Sequence, residues 1–349
     1  MNARREFLQQ SGALVVSFAL SGRSWAQQPA GGAAPDKLPG SLDKAPFLDS
    51  WIRIDADNRV TVFTGKCELG QGIKTALTQV AAEELDVDFA RVALVTADTA
   101  STPNEGFTAG SNSMKDSGTA IRNAAAQVRE ILLARAAGRL SVAADALDVQ
   151  DGTVLTRDGR RVTYGELVAG QVLHVEAKPA SRFKDPKSYR LVAKSVKRVD
   201  IPAKVTGAEI YVHDLRLPGM QHARVIRPPS YGATLESLDT REVEKMGAKV
   251  VRDANFLAVV APKEYEAIKA MRALRRAARW RERPTLPDMK ALPATLLAMS
   301  TQDVVVEEKR GSGTAAKTLE ATYTRHYQAH ASIGPSCAVG LMKDGSLTV

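Results

Sequence analysis

The sequence predicts a multidomain protein of the α+β class. Alternating apolar residues over 51–54 and 60–63 predict a β-hairpin, and apolar residues at helical spacing over 73–85 predict a helix directly after it. The length of 349 residues is enough for two or more domains. Because 44% of the residues are hydrophobic and 25% are charged, an ordinary globular composition, each domain can bury a core.

Residues 1–26 carry the features of an export signal. Arg4 and Arg5 form a basic head, residues 12–20 form an apolar run too short to span a bilayer, and residues 24–26 offer a cleavage site. The arginine pair resembles the twin-arginine signal, and an ordinary secretory leader or an uncleaved anchor is the alternative. We therefore expect export of the folded protein to the periplasm by the twin-arginine route. An association with the inner membrane stays open.

Changes of pattern divide the rest of the chain. The predicted segments are a linker at 27–48, an α+β unit at 49–176, a charged connector at 177–204, a second unit of short strands and helices at 205–285, a connector at 286–317 and a strand-rich segment at 318–349. In the second unit, the pattern predicts one helix over 264–279. Because residues 345–349 stop at the start of a strand, we expect an N-terminal fragment of a longer polypeptide or half of a split one.

Gly70-Gln71-Gly72 lies between a predicted strand and a predicted helix. Glycine allows positive φ and close approach of a ligand, and the helix start offers free N–H groups and the positive end of the helix dipole. The Gln71 amide both donates and accepts, which suits a heterocycle edge such as that of a pterin. The alternative is a tight turn without a ligand. A Walker loop and the dinucleotide fingerprint are excluded, because their further Lys and Gly residues are missing.

A second special turn follows at residues 107–114. Gly110 allows close approach, and Thr108, Ser111 and Ser113 supply hydroxyl groups just before another predicted helix. The alternative is a polar loop in which Ser113 caps that helix. Two such turns, each with N–H groups at a helix start, predict one anionic ligand held between them.

The order of these motifs carries a family resemblance. Residues 68–75, the following helix, the strand at 92–96 and residues 108–113 resemble the molybdopterin-binding large subunit of the xanthine dehydrogenase/aldehyde oxidase family. The likeness is strongest to the branch of isoquinoline 1-oxidoreductase and nicotinate dehydrogenase large subunits. It implies that residues 49–176 are a molybdopterin-binding α+β domain.

The resemblance continues into the second half of the chain. Residues 204–209 and 223–229 resemble the α/β hammerhead domain of the family, which would occupy residues 205–285. Residues 327–339 resemble the start of its main molybdopterin-binding domain. This second cofactor domain would be truncated.

The resemblance implies an oxidoreductase, a molybdenum hydroxylase that oxidises an N-heteroaromatic compound or an aldehyde with water as the oxygen source. The implied cofactor is molybdopterin with molybdenum, in bacterial members the cytosine dinucleotide. Electrons would leave through [2Fe-2S] clusters on a small partner subunit, and a cytochrome c as electron acceptor stays open. The positions that would hold the cofactor are Gly70, Gln71, Gly72, Gly110, Ser111 and Ser113.

No catalytic or metal-binding residue is assigned. The catalytic base implied by the resemblance is a glutamate near the C-terminus of the main cofactor domain, and no glutamate of this sequence matches it. Glu68 and Glu105 lie near the turns, but a carboxylate beside an anionic ligand is unfavourable, so we interpret both as surface or structural residues. His330 belongs to no metal-ligand motif, and Cys67 and Cys337 are expected to form no bridge.

Two other classes of function compete with the enzyme hypothesis. A non-catalytic fragment from a truncated or split gene would carry the same motifs. A nucleic-acid-binding module would use a basic stripe at helical spacing, formed by Lys269, Arg272, Arg276, Arg279 and Arg283. The export signal and the lack of interleaved aromatic residues favour a solvated face or a subunit contact instead. We therefore expect a small-molecule substrate and no nucleic acid.

Overall fold

The computed structural model describes residues 37–169, 171, 173–283, 285–308, 313, 316–317, 319–332 and 334–349. The predicted export signal and most of the predicted linker lie outside these residues. The chain divides into two compact units, the first ending at Ala208 and the second beginning at Glu209. In the described part, no helix is both long enough and apolar enough to cross a membrane.

Both units mix helices with sheets, so the predicted α+β class is confirmed. The elements of the first unit are β1 (Ile52–Ile54), β2 (Val60–Thr64), α1 (Ile73–Leu85), β3 (Val92–Thr96), a π-helix (Ser113–Gly118), α2 (Thr119–Leu140), β4 (Leu147–Gln150), β5 (Thr153–Thr156), β6 (Arg161–Thr163), α3 (Tyr164–Val168) and α4 (Ile201–Val205). The hairpin and the first helix lie where the sequence pattern predicts them.

One three-stranded sheet positions both special turns. β1 and β2 are antiparallel and form the predicted hairpin. β2 and β3 run parallel, with Thr64 beside Thr96, and α1 makes the crossover between them. Because parallel strands end at the same edge of a sheet, the chain leaves β2 and β3 side by side. Residues 65–72 and 97–112 therefore begin next to each other.

The core of the first unit packs the helices against this sheet. Trp51 is fully buried, and its indole N–H donates to the carbonyl of Ala45 at 2.9 Å. The hydroxyl of Tyr164 donates to the carbonyl of Leu85 at 3.0 Å, which ties α3 to the end of α1. Burial raises the pKa of Tyr164, so this hydroxyl stays a donor.

Residues 184–200, which we call the strap, begin at the C-terminal end of α1. One oxygen of the buried Glu83 carboxylate accepts three strap N–H groups, at 2.9, 2.6 and 3.0 Å, from Arg190, Leu191 and Val192. Lys184, itself buried, donates to the other Glu83 oxygen at 2.9 Å. These charge-assisted hydrogen bonds attach a segment without long regular elements to α1.

The strap then runs back along α1 toward its N-terminal end. Gln79 donates to the carbonyl of Lys194 at 3.1 Å. Thr75, in the first turn of α1, accepts from the N–H of Val199 at 3.0 Å. The segment predicted as a connector is thus packed on the first unit over most of its length.

The second unit has its own core. Its elements are β7 (His222–Val225), β8 (Thr234–Leu238), α5 (Arg241–Lys245), β9 (Lys249–Asp253), β10 (Phe256–Ala261), α6 (Glu264–Ala277), β11 (Ala278–Arg281), α7 (Leu292–Ala298), β12 (Leu341–Lys343) and β13 (Ser346–Thr348). β10 pairs antiparallel with β7 and β9, and β8 pairs with β11. The core includes one face of α6, whose small buried residues are Ala267, Ala270 and Ala273. The assignment of this unit to a hammerhead domain stays a prediction.

Three sequence predictions for this unit fail in part. The helix predicted over 264–279 ends at Ala277, because the next four residues pair with β8, a strand that the sequence analysis missed. Tertiary strand pairing overrides the local helical pattern here. The basic stripe is therefore not one helix face, since Arg279 lies on β11 and Arg283 lies after it. In the strand-rich prediction at 318–349, only the hairpin of β12 and β13 forms among the described residues.

We expect Glu83→Gln to lower the free energy of unfolding by about 3 kcal/mol at pH 7, because the buried carboxylate loses its charge-assisted bonds. Burial raises the pKa of Glu83, but hydrogen bonds from Leu191, Val192 and Lys184 outweigh it, so the pKa lies below its ordinary 4.5. The stabilisation is therefore complete above pH 4.5 and is lost as the pH falls through the lowered pKa. Chemical denaturation of the full chain between pH 7 and pH 2 measures it.

Glu130→Gln, at an exposed position of α2, is the matched control. It should change the free energy of unfolding by less than about 0.5 kcal/mol at every pH. A deficit of Glu83→Gln that stays the same at pH 7 and pH 2 would contradict the role given to the carboxylate charge.

Candidate functional site

The first special turn connects β2 to α1. Gly70 and Gly72 have φ of 97° and 86°, in the left-handed region that favours glycine, and Gly72 is the N-cap of α1. Among the described residues, apart from its two chain neighbours, no atom lies within 4 Å of the position that a Cβ atom of Gly70 would take. One edge of this turn is therefore open to solvent.

A carboxylate of the protein already fills the start of α1. Glu68 accepts hydrogen bonds from the N–H groups at the helix start, at 2.8, 3.0 and 3.0 Å, from Gly70, Gly72 and Lys74. Burial raises the pKa of Glu68, but these hydrogen bonds outweigh it, so the pKa is lowered and the group is ionised at neutral pH. Two of the predicted free N–H groups at this helix start, those of Gly72 and Lys74, are thus used by Glu68, which makes it a structural residue.

Gln71 is exposed, but its side chain folds back on its own turn. The amide nitrogen donates to the carbonyl of Cys67 at 2.8 Å, and the amide oxygen accepts from the N–H of Leu69. Both ends of the amide are therefore paired within the turn. A contact between Gln71 and a ligand would exchange these local bonds for new ones.

A buried carboxylate joins the second turn to the first. Glu105 is 3% exposed, and its Oε2 accepts from the Gly65 N–H at 2.8 Å and from the Thr64 hydroxyl at 2.7 Å. The same oxygen accepts from the hydroxyl of Ser117, in the π-helix, at 3.2 Å. Glu105 Oε1 has no hydrogen-bond partner among the described residues. Glu105 is therefore a structural residue, as expected, but a deeply buried one.

Two more contacts align the turns. The ammonium group of Lys66, a residue that is 2% exposed, donates to the carbonyls of Glu105 and Phe107 at 2.9 and 3.0 Å. The N–H of Cys67 donates to the hydroxyl of Thr108 at 2.8 Å. The two turns that the sequence analysis singled out therefore lie against each other, although they are separated in the chain by a helix and a strand.

The second turn presents small polar groups at its exposed end. Gly110 and Ser111 have φ of 65° and 58°, and both are exposed. Ser113 is the first residue of the π-helix, whose N-cap is Asn112, so the alternative in which Ser113 caps the helix is wrong. Single π-helical turns occur often at functional sites. Within the described residues, the Ser111 and Ser113 hydroxyls are left for outside partners.

Sequence reasoning missed one charged residue of this site. Arg198, from the strap, donates to the carbonyl of Gly70 at 2.9 Å and lies 3.6 Å from the Glu68 carboxylate. Asp200 holds the guanidinium by two hydrogen bonds, at 2.9 and 2.6 Å. Hydrogen bonds from Arg198 and Lys204 hold the pKa of Asp200 well below its usual range. The only sequence signal was the charge spacing of these three residues in the predicted connector.

Comparison with known proteins identifies the family. The profile of the molybdopterin cofactor-binding domain matches residues 29–208, which is more than half of the chain. The chain belongs to this family. The matched residues contain both turns, the strap and all six positions predicted to hold the cofactor. The resemblance to the large subunits of molybdenum hydroxylases is confirmed.

Three relatives extend over most of the chain. A nicotinate dehydrogenase component of Pseudomonas putida is 34% identical over 99% of this chain and 30% of its own length. The beta chain of isoquinoline 1-oxidoreductase of Brevundimonas diminuta is 33% identical over 81% of this chain and 40% of its own. A membrane-bound aldehyde dehydrogenase (pyrroloquinoline-quinone) of Gluconacetobacter polyoxogenes is 28% identical over 98% of this chain and 46% of its own length. The chain thus spans less than half the length of each.

The turns fit the cofactor of the family better at one edge than at another. Gly70 is open, and a Cβ atom at Gly110 would meet only the Asn112 side chain, at 3.3 Å. With the hydroxyls of Ser111 and Ser113, this edge offers donors and close approach to a polar, anionic group such as a pterin phosphate. The start of α1 fits less well, because the negatively charged Glu68 carboxylate already accepts from two of its N–H groups.

The remaining candidates stay outside this site. Cys67 and Cys337 are both free in this structure. His330 is exposed. Among the described residues, no group of three or more His, Cys, Asp and Glu side chains is arranged to hold a metal ion.

We expect Glu105→Gln to lower the free energy of unfolding by about 2 kcal/mol and to loosen residues 105–113. The amide oxygen can replace Oε2, but the amide nitrogen would replace Oε1 and would be buried without an acceptor. Limited proteolysis of the full chain, with the cut sites mapped by mass spectrometry, detects the loosening. Glu176→Gln, at an exposed position, is the control, and faster cleavage in both variants would refute a specific role of Glu105.

Proposed function

We propose that this chain is the molybdopterin-binding part of a molybdenum hydroxylase large subunit that oxidises an N-heteroaromatic compound or an aldehyde. The observation that carries the proposal is that the family match over residues 29–208 coincides with two turns joined by Glu105 and Lys66. The names of the nicotinate and isoquinoline relatives favour an N-heteroaromatic substrate.

The cofactor would be molybdopterin with molybdenum, as the cytosine dinucleotide. It would supply the redox centre at which the substrate is hydroxylated with oxygen from water. Ser111 and Ser113 would donate hydrogen bonds to it, and Gly70 and Gly110 would let it approach the backbone. Gln71 would turn its amide from Cys67 toward the pterin.

The names of several relatives call them subunits, which supports the proposal of partner subunits for this chain. A small subunit with [2Fe-2S] clusters would take the electrons, with a cytochrome c as a further acceptor. The twin-arginine-like segment at residues 1–26 supports export of the folded protein to the periplasm. Proteolytic removal of this segment in cells, detected by N-terminal sequencing, tests the location.

Two alternatives define the outcomes of the main experiment. The third relative is named for pyrroloquinoline quinone, a different redox cofactor. A non-catalytic fragment would bind neither. The full chain is therefore purified from cells that make molybdenum cofactor, and molybdenum, released pterin, cytidine nucleotide and pyrroloquinoline quinone are each measured per protein. Molybdenum and pterin near one per chain support the proposal, quinone supports the second cofactor, and folded protein without any of them supports the fragment.

We expect Ser111→Ala and Gln71→Ala each to lower the molybdenum and pterin content of the full chain several-fold. The loss of one hydrogen bond to a charged ligand corresponds to about a tenfold change in affinity. Ser141→Ala is the matched control, because Ser141 is another exposed serine with left-handed backbone, φ 53°, in the same unit. Unchanged cofactor content in both site variants would remove these residues from the site.

A further inference from the structure

We propose that Arg198 is a positioning residue of the Gly70–Gln71–Gly72 turn and makes that turn compatible with an anionic ligand. This inference rests on the proposed function for its ligand, but the geometry of the turn tests it separately. It assigns a role in the site to the strap, which sequence reasoning interpreted as a connector.

The guanidinium of Arg198 is held from two sides. Asp200 binds it through Nε and Nη2, in a fork that fixes its plane. Nη1 is thereby aimed at the carbonyl of Gly70, at 2.9 Å. A third of the side chain remains exposed, so the group lies at the surface of the turn and not in the core.

Gly72 provides a second, independent observation. A Cβ atom at this position would lie 3.4 Å from Cζ and Nε and 3.5 Å from Nη1 of Arg198, at the close limit of an ordinary contact. The guanidinium of Arg198 therefore lies directly beside the position that a side chain at residue 72 would occupy. The positive φ of Gly72 is what requires glycine here, and the guanidinium packs directly against this position.

The charges around the turn favour an electrostatic role for Arg198 in addition to its hydrogen bond with Gly70. Glu68 alone would repel an anion at the open edge of the turn. Arg198 lies 3.6 Å from Glu68, and Asp200 is bound in turn by Lys204 at 2.6 Å. Two cations thus offset two carboxylates. Without Arg198 the cluster carries a net negative charge, which works against binding of a phosphate-bearing cofactor.

The test compares two readouts on the full chain. Hydrogen exchange, followed by mass spectrometry over residues 66–76, reports the turn without any cofactor. Arg198→Gln should raise exchange at Gly70, Gly72 and Lys74 about tenfold, the effect expected from losing one charge-assisted hydrogen bond. It should also lower molybdenum and pterin content about fivefold or more. Arg198→Lys should regain part of the cofactor content, because it keeps the charge, but not the slow exchange, because lysine has no fork.

Arg241→Gln is the matched control, because Arg241 and Asp239 form a similar two-residue fork in the second unit. It should change neither readout. Unchanged exchange in Arg198→Gln would overturn the positioning role. Equal loss of cofactor in the Lys and Gln variants would overturn the role of the charge. Wild-type protein without molybdenum would count against the proposed function, while the exchange measurement would still decide the role of Arg198.

Discussion

The geometry of the site depends on the buried carboxylate of Glu105. Parallel pairing of β2 and β3 brings the two turns to one edge of the sheet, but it does not fix how they face each other. Glu105 does so, because one of its oxygens accepts from the end of β2 and from the π-helix at once. A carboxylate with several donors in a low-dielectric interior is strongly oriented. Lys66 adds a second link between the turns, because its ammonium group donates to two carbonyls of the second turn.

The carboxylate of Glu68 limits where an anionic ligand can bind at these turns. The start of a helix is a common anion site, yet here Glu68 already accepts from the N–H groups of Gly72 and Lys74. In the proposed site, recognition would use the open edge formed by Gly70, Gly110 and the two serines. An edge of this kind selects for shape and hydrogen-bond pattern, because its donors are neutral. The turn contributes no net cation of its own to the site.

Local features of the sequence predict a large part of this architecture. Gly70 and Gly72 were predicted as special because only glycine adopts their φ readily, and the hairpin and α1 were predicted from periodicity. The contacts that complete the site are not local. Arg198 is 128 residues from Gly70, so no window of sequence contains both. The same limit explains why β8 was missed and why the first two residues of β11 were interpreted as helix, since the two paired strands lie far apart in the sequence.

The surface of α1 shows which residues determine the position of the strap. Ile73, Leu77, Ala81 and Leu85 recur every four residues and face the core, as the periodicity predicts. A second stripe with the same spacing is polar and consists of Thr75, Gln79 and Glu83, each bound to the strap. A polar stripe on an amphipathic helix is ordinarily interpreted as solvent-facing, which is why the strap was not anticipated. One further turn back along this stripe leads to residues 71–72, where the guanidinium of Arg198 lies. The contacts of the strap with α1 therefore extend from Glu83 to Thr75, and they place Arg198 beside the Gly70–Gln71–Gly72 turn.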